Sequence, residues 1–330
     1  MSYVSGGLIE AADYNGFVNA SANNINAIWS TGSGDRGWGQ TAISTVSAGG
    51  TVTATQWATL VANLAAAGTQ TGSTLTSRTQ PSAGQTINIL ANVATDINTV
   101  TNNRGNATAV GSEYGVFSGT TSKTTGTGSG TTPWTITFTH TVTFPSADQA
   151  RYFWNAGGLV RLQFGKSSTG TDHDPDWNTL AGQCGSIYIS GRVNSNSQLI
   201  AGTTYTGTTR VGGSGGTQTT LATTTGWYQL TGTPATLFQL NNAGSPYTPD
   251  YIRVTASSTA TVLTLTTTWV NDGSSGAGTS ANISGGTAVT SPATAIGAAT
   301  APTTLCTYFP PSTSNLTNSW GTPSIAASVS

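Results

Sequence analysis

Charge is what this sequence has least of. Asp, Glu, Lys and Arg make up 6% of 330 residues, with Lys+Arg 10, Asp+Glu 11 and a net charge of -1, whereas an ordinary soluble domain carries roughly a quarter. Glu occurs only at Glu10 and Glu113. General acid–base catalysis draws on such ionisable groups, and glycoside hydrolysis needs two converging carboxylates. Their scarcity argues for a structural or assembly protein and against an enzyme. Phosphate binding needs clustered basic residues, but Arg36, Arg78, Arg104, Arg151, Arg161, Arg192, Arg210 and Arg253 are scattered and Lys123 and Lys166 add no cluster. A nucleic-acid partner is therefore not expected. No run approaches the ~20 apolar residues of a membrane span. Residues Met1–Gly7 have neither the basic nor the apolar region of a signal peptide. The expected setting is a cytoplasm, unless the chain leaves as part of something larger. Two cysteines, Cys184 and Cys306, lie far apart. They read as small buried apolar residues, and a disulfide requires the fold to bring them together.

What the chain has instead is Thr, Ser, Asn, Gln and 42 Gly. Its composition changes near Asn106. Before it, Tyr14, Phe17, Val18, Ile25, Ile28 and Trp29 form one apolar stripe, which predicts a helix over 10–29 held by packing rather than propensity. Thr53 and Gln56 fit a capping box ahead of Trp57, Leu60, Val61 and Leu64, and Gly68 is a helix stop. A third helix is expected over 87–101. Residues 118–132 are almost wholly Gly, Ser and Thr and read as a linker or strand-edge loop. From Trp134 to Phe144, Thr occupies every second position, the strongest strand signal in the chain. Ser146 and Gln149 predict a cap for a short helix over 147–155. Further strands are expected at 159–165, 187–193, 251–256 and 260–270, with three or four between 204 and 240 and a last one within 288–308. The expected fold is α+β and multidomain. A three-helix attachment domain (1–108) and a linker (109–132) precede an antiparallel β-sandwich or jelly roll (133–330). This division implies that the β domain folds without residues 1–105.

Few residues carry the pattern of a chemical site. Asp172, Asp174 and Asp176 alternate like the opening of a calcium loop. The loop's required Gly is replaced by Trp177 and its twelfth-position Glu by Gln183. These aspartates are therefore weak metal candidates, and the plainer reading is a surface loop whose Asp176 caps a turn at 177–180. Gly32-Ser33-Gly34-Asp35-Arg36-Gly37-Trp38-Gly39-Gln40 lacks the Lys-Ser/Thr of a phosphate-binding loop. It reads as an ordered turn that needs Gly for positive φ while Trp38 docks into the helices. His140, in phase with Phe138 and Val142, is expected to pack inside a sheet. Trp320, in a polar stretch, is expected to make an intermolecular contact. No catalytic residue and no cofactor are expected.

The segment Ala12-Asp13-Tyr14-Asn15, the Thr31–Gln40 loop, the Gln56-Trp57 helix, Asn102-Asn103-Arg104-Gly105, residues Ala147–Gly158 and the Asp176-Trp177 step follow one another in order. Together they span about half the chain, and they resemble virion structural proteins of tailed phages. The family often has a hydroxyl residue where Glu10 stands. The resemblance implies a non-enzymatic component of the neck, collar or tail fibre. Its helices would anchor it to the particle, with Tyr14, Arg36, Trp38, Trp57 and Trp320 as candidate attachment residues. The implied partners are further copies of itself (a closed homo-oligomer such as a trimer), other virion proteins and a host surface glycan. A glycan-binding fibre module and a capsid decoration protein are the alternatives.

Overall fold

The computed structural model describes residues 10–19, 24–79, 82, 92–109, 121–122, 134–166, 174–192, 198–200, 203–243, 249–271 and 302–330. Among the described residues four helices precede the strands: α1 (Ala11–Val18), α2 (Ile25–Trp29), α3 (Ala54–Gln70) and α4 (Val93–Asn103). The single helix expected over 10–29 is thus in two pieces. Asparagine side chains explain the break, because they compete for backbone hydrogen bonds. Asn19, at the end of α1, is extended and accepts a bond from the Asn24 side chain. Asn26 donates to Val18 O and clasps Ile43, donating to its O (2.8 Å) and accepting from its N (2.9 Å). Asn15 clasps Val46 in the same two-way manner, at 2.7 and 2.8 Å. The α3 capping box forms as expected: Thr53 N donates to Gln56 Oε1 (2.8 Å) and Gln56 N to Thr53 Oγ1 (3.3 Å). The expected linker and the first turns of the third helix lie mostly outside the described residues.

The strands in chain order are β1 (Thr121–Ser122), β2 (Trp134–Thr143), β3 (Leu159–Gly165), β4 (Ser186–Ser190), β5 (Gln198–Ile200), β6 (Thr203–Tyr205), β7 (Thr208–Val211), β8 (Thr217–Leu221), β9 (Ala235–Asn241), β10 (Tyr251–Ser258), β11 (Val262–Asn271), β12 (Thr303–Phe309) and β13 (Ser324–Val329). They form a five-stranded sheet, β1-β12-β3-β4-β7, a six-stranded sheet, β13-β2-β11-β10-β9-β8, and the β5-β6 hairpin. Every pairing is antiparallel, so the class is α+β. The alternation seen in the sequence is the pleat of the six-stranded sheet. Phe138, His140 and Val142 of β2 and Leu263, Leu265 and Trp269 of β11 are all buried. On the other face, Thr137, Thr139 and Thr141 stand opposite Thr268, Thr266 and Thr264, the cross-strand threonine pairing that stabilises a solvated sheet face.

The two sheets enclose one core. Phe164 of β3 and Phe238 of β9 stack across the gap, with ring centres 6.5 Å apart. At the seams, β1 lies beside β13 and β7 beside β8. Helix α5 (Ala147–Asn155) leads into β3, and α6 (Asp174–Cys184) follows it, so they sit at opposite ends of that strand. Phe153 and Trp154 of α5 pack on Phe144, with Trp154 stacked on Trp227 at 5.4 Å. At the other end Trp177 of α6 packs on Trp269 at 5.8 Å. The buried apolar cluster runs without interruption from Ala11 and Tyr14 of α1 to Ile325 of β13. The helices and the sheets therefore share a core. Cys184 and Cys306 are both buried and free. Among the described residues no helix is long and apolar enough to cross a membrane.

Candidate functional site

The shared core is sealed by the Thr31–Gln40 loop. Gly32, Gly34, Gly37 and Gly39 all have positive φ, at 54°, 56°, 94° and 68°. That backbone region is strained for residues with a Cβ. Space is also missing: a Cβ on Gly37 would lie 2.0 Å from Thr31 O, and one on Gly39 would lie 2.4 Å from the Tyr152 ring. The expectation of an ordered glycine turn is met, and Trp38 is fully buried. Its indole N–H donates to Asn155 O at 3.0 Å and its ring packs edge-on to Trp29 at 6.3 Å. The turn thus joins α2 to α5.

Asp35 is the charge at the centre of this junction. Its Oδ2 accepts from Arg104 Nη2 (2.5 Å), just after α4, and from Arg192 Nη1 (2.8 Å), just after β4. Arg192 Nη2 also donates to Asp35 O and, at 3.2 Å, to Asn155 Oδ1. Asn155 is fully buried with every bonding position used. Its Nδ2 donates to Gly34 O (3.2 Å) and Gly37 O (3.3 Å), and its Oδ1 accepts from Tyr228 OH at 2.7 Å. Arg151 of α5 donates to Thr31 O and Arg36 O and pairs with Asp148. Burial pushes the Asp35 carboxyl up, but the charges and hydrogen bonds of Arg192 and Arg104 outweigh it and leave the group below the usual carboxylate range. Burial lowers Arg192, with Asp35 opposing. Burial also pushes the Tyr228 hydroxyl up to about 12. A charge removed from water is stable only with a well-placed partner. These ions are committed to one another and to backbone, so the arrangement is a clamp.

No family model, curated protein or solved structure matches the chain. The functional reading therefore rests on the residues themselves. Tyr14, Trp38 and Trp57 are fully buried and Trp320 is 1% exposed. These four candidate attachment residues are corrected to core residues of this chain: Tyr14 and Trp57 pack edge-on at 5.2 Å. Arg36 is half-buried, and its carbonyl accepts from Arg151. Trp320 is buried because the polar stretch around it is anchored at both ends. Gln40 clasps Thr317, donating to its O (2.9 Å) and accepting from its N (2.8 Å), and β13 follows. Asp172 lies outside the described residues, Asp174 begins α6, and Asp176 is half-buried in its first turn. Among the described residues no three His, Cys, Asp or Glu side chains group to hold a metal. His140 is buried as expected, and burial lowers it to about 4, with a bond to the Thr304 backbone opposing. The sequence reading missed Asn155, Arg192 and Tyr228. They meet the loop across 121, 157 and 194 residues, and no local pattern marks them.

Proposed function

We propose that the chain is a non-enzymatic structural component of a tailed-phage particle, of collar or tail-fibre type. In this reading the helices of residues 1–108 form the attachment unit. The sheets form a β-sandwich that packs against sister copies or faces outward, in a homo-oligomer with other virion proteins as partners. The meander β8-β9-β10-β11 favours the sandwich over the jelly roll. One observation carries the proposal. In a chain with so few ionisable groups, Asp35, Arg104 and Arg192 are spent on one another, tying the glycine loop to the ends of α4 and β4. The Thr-covered face of the six-stranded sheet supports it further, because uncharged surface joins a subunit interface without stripping water from ions.

Light scattering on the purified full-length chain tests this. A discrete trimer or ring supports a collar or fibre component. A monomer at high concentration removes self-assembly and favours a decoration protein or a binding module driven by its partners.

A further inference from the structure

Strand β13 closes the six-stranded sheet at one edge, where among the described residues it pairs with β2 alone. Ser330 and Thr137 exchange two backbone bonds of 3.0 Å. In an antiparallel ladder such pairs recur at every second residue, so Ser328 and Ala326 bond to Thr139 and Thr141 in the same way. The N–H groups of Thr137, Thr139 and Thr141 therefore point to β13, and those of Phe138, His140 and Val142 point to β11. Phe144 N, next in the second set, donates to Thr261 O at 2.8 Å on the β11 side. The hold of β13 is slight: its side chains are small, and Ile325 alone among them is buried.

His140 lies fully buried behind this edge. Its cross-strand neighbours are Leu265 of β11 and Ala327 of β13, and across the core it bonds to the backbone of Thr304 on β12. Cys306, on the same face of β12 as Thr304, is the one titratable neighbour among the described residues. No charged group acts on His140. Burial therefore opposes a proton on the ring, and the Thr304 bond alone favours one. On the β13 side a half-buried alanine stands between the ring and the edge of the sheet.

We infer that β13 is an acid-released strand: protonation of His140 lifts Ser324–Ser330 off β2 while the rest of the six-stranded sheet stays paired. Lifting the strand gives the charged ring access to water and exposes one buried isoleucine and a short ladder of bonds. Such a weakly held edge is the kind of unit that opens locally. The closed strand is fully stable above the ordinary histidine value of 6.5 and loses that stability as pH falls towards about 4. Its release turns β2 into an edge strand, whose row of free N–H and C=O groups is a template for pairing with another chain. The inference does not depend on the virion reading, because the test needs neither a particle nor an oligomer.

The experiment is amide hydrogen exchange on the full-length chain, read by NMR at pH 7 and pH 5 and corrected for the intrinsic pH dependence of exchange. Protection of Thr137, Thr139 and Thr141 is expected to fall roughly twentyfold between the two, the ratio set by histidine values of 6.5 and about 4. Phe138, His140 and Val142, on the same strand but bonded to β11, should keep their protection. His140→Gln should remove the fall. His173→Gln, which changes the chain's other histidine, should leave it in place. Equal loss at both sets of amides means that the whole sheet opens, and it overturns the proposal. So does protection of the first set that does not change with pH, a fall that survives His140→Gln, or one that vanishes in His173→Gln. The contrast between the two sets is read on the unaltered chain, so it decides the matter even where a variant fails to fold.

Discussion

The helical and sheet regions of this molecule solve the same shortage of charge differently. In the sheets the backbone partners itself, and side chains only alternate between core and solvent. Around α1 and α2 much of the chain is irregular, and carboxamides partner the backbone instead. Asn15 holds Val46, Asn26 holds Ile43 and Gln40 holds Thr317, each through a donated and an accepted bond. An Asn or Gln amide offers the donor–acceptor pair of a peptide group without an ion's desolvation cost. The comparison shows that a nearly uncharged chain can hold irregular backbone when amides act as surrogate strands. Asp35 with its two arginines is kept for the junction.

Removing one side of the comparison has the largest expected effect. Deleting residues 1–105 would expose the face of α5 that carries Tyr152 and Asn155 and would open the shared core. The shortened chain is expected to aggregate or to lose its cooperative thermal transition, contrary to the division read from the sequence. A sharp calorimetric transition from a soluble fragment would show the sheets to be self-sufficient. Next is Asp35→Ala, which leaves Arg192 buried beside Arg104. Breaking a buried pair costs about 3–5 kcal/mol, and the 42% exposure of the Asp35 side chain brings this to about 3 kcal/mol through solvent screening. Chemical denaturation should also split into two transitions if the clamp is what couples the regions.

Acid acts on the sheet side. His140 sits at about 4 in the fold against an ordinary 6.5, so the unfolded chain takes up its proton first. Stability should be full above pH 6.5 and fall by roughly 3 kcal/mol as pH drops towards 4. His140→Gln should flatten that slope. The contribution of Asp35, whose group is lowered, fades only below the usual carboxylate value of 3.8. The two effects therefore occupy separate pH windows, and an unchanged slope in His140→Gln would assign the acid sensitivity elsewhere. The smallest expected effect is Asn15→Ala. It removes two bonds to Val46 and should cost about 1–2 kcal/mol while leaving near-ultraviolet signals of the sheet tryptophans unchanged.

Much of this was legible where the signal is local. The Thr alternation of β2, the bounds of α5 and β3, the Thr53–Gln56 box and the glycines of the loop follow from neighbours within a turn or a pleat. Helix α6 was readable but was passed over. Trp177, Leu180, Ala181 and Cys184 form an i, i+3, i+4, i+7 stripe, which the preceding aspartates disguised as a loop. Strand β13 was missed because Ser324–Val329 is small and polar, and its strand character comes from pairing with β2. The candidate site was half legible. The loop announced that it would be packed into, but its partners are set by tertiary contact alone.

The bond between Gln40 and Thr317 spans 277 residues. At ribosomal rates of about 5–20 residues per second, roughly 15–55 seconds separate the synthesis of the two ends. For that interval the Trp38–Gln40 end of the glycine loop lacks its bonds to Thr317 and Ser319. That end of the loop is made early and closed late, while the stripe of α1 already has Trp57 to pack against.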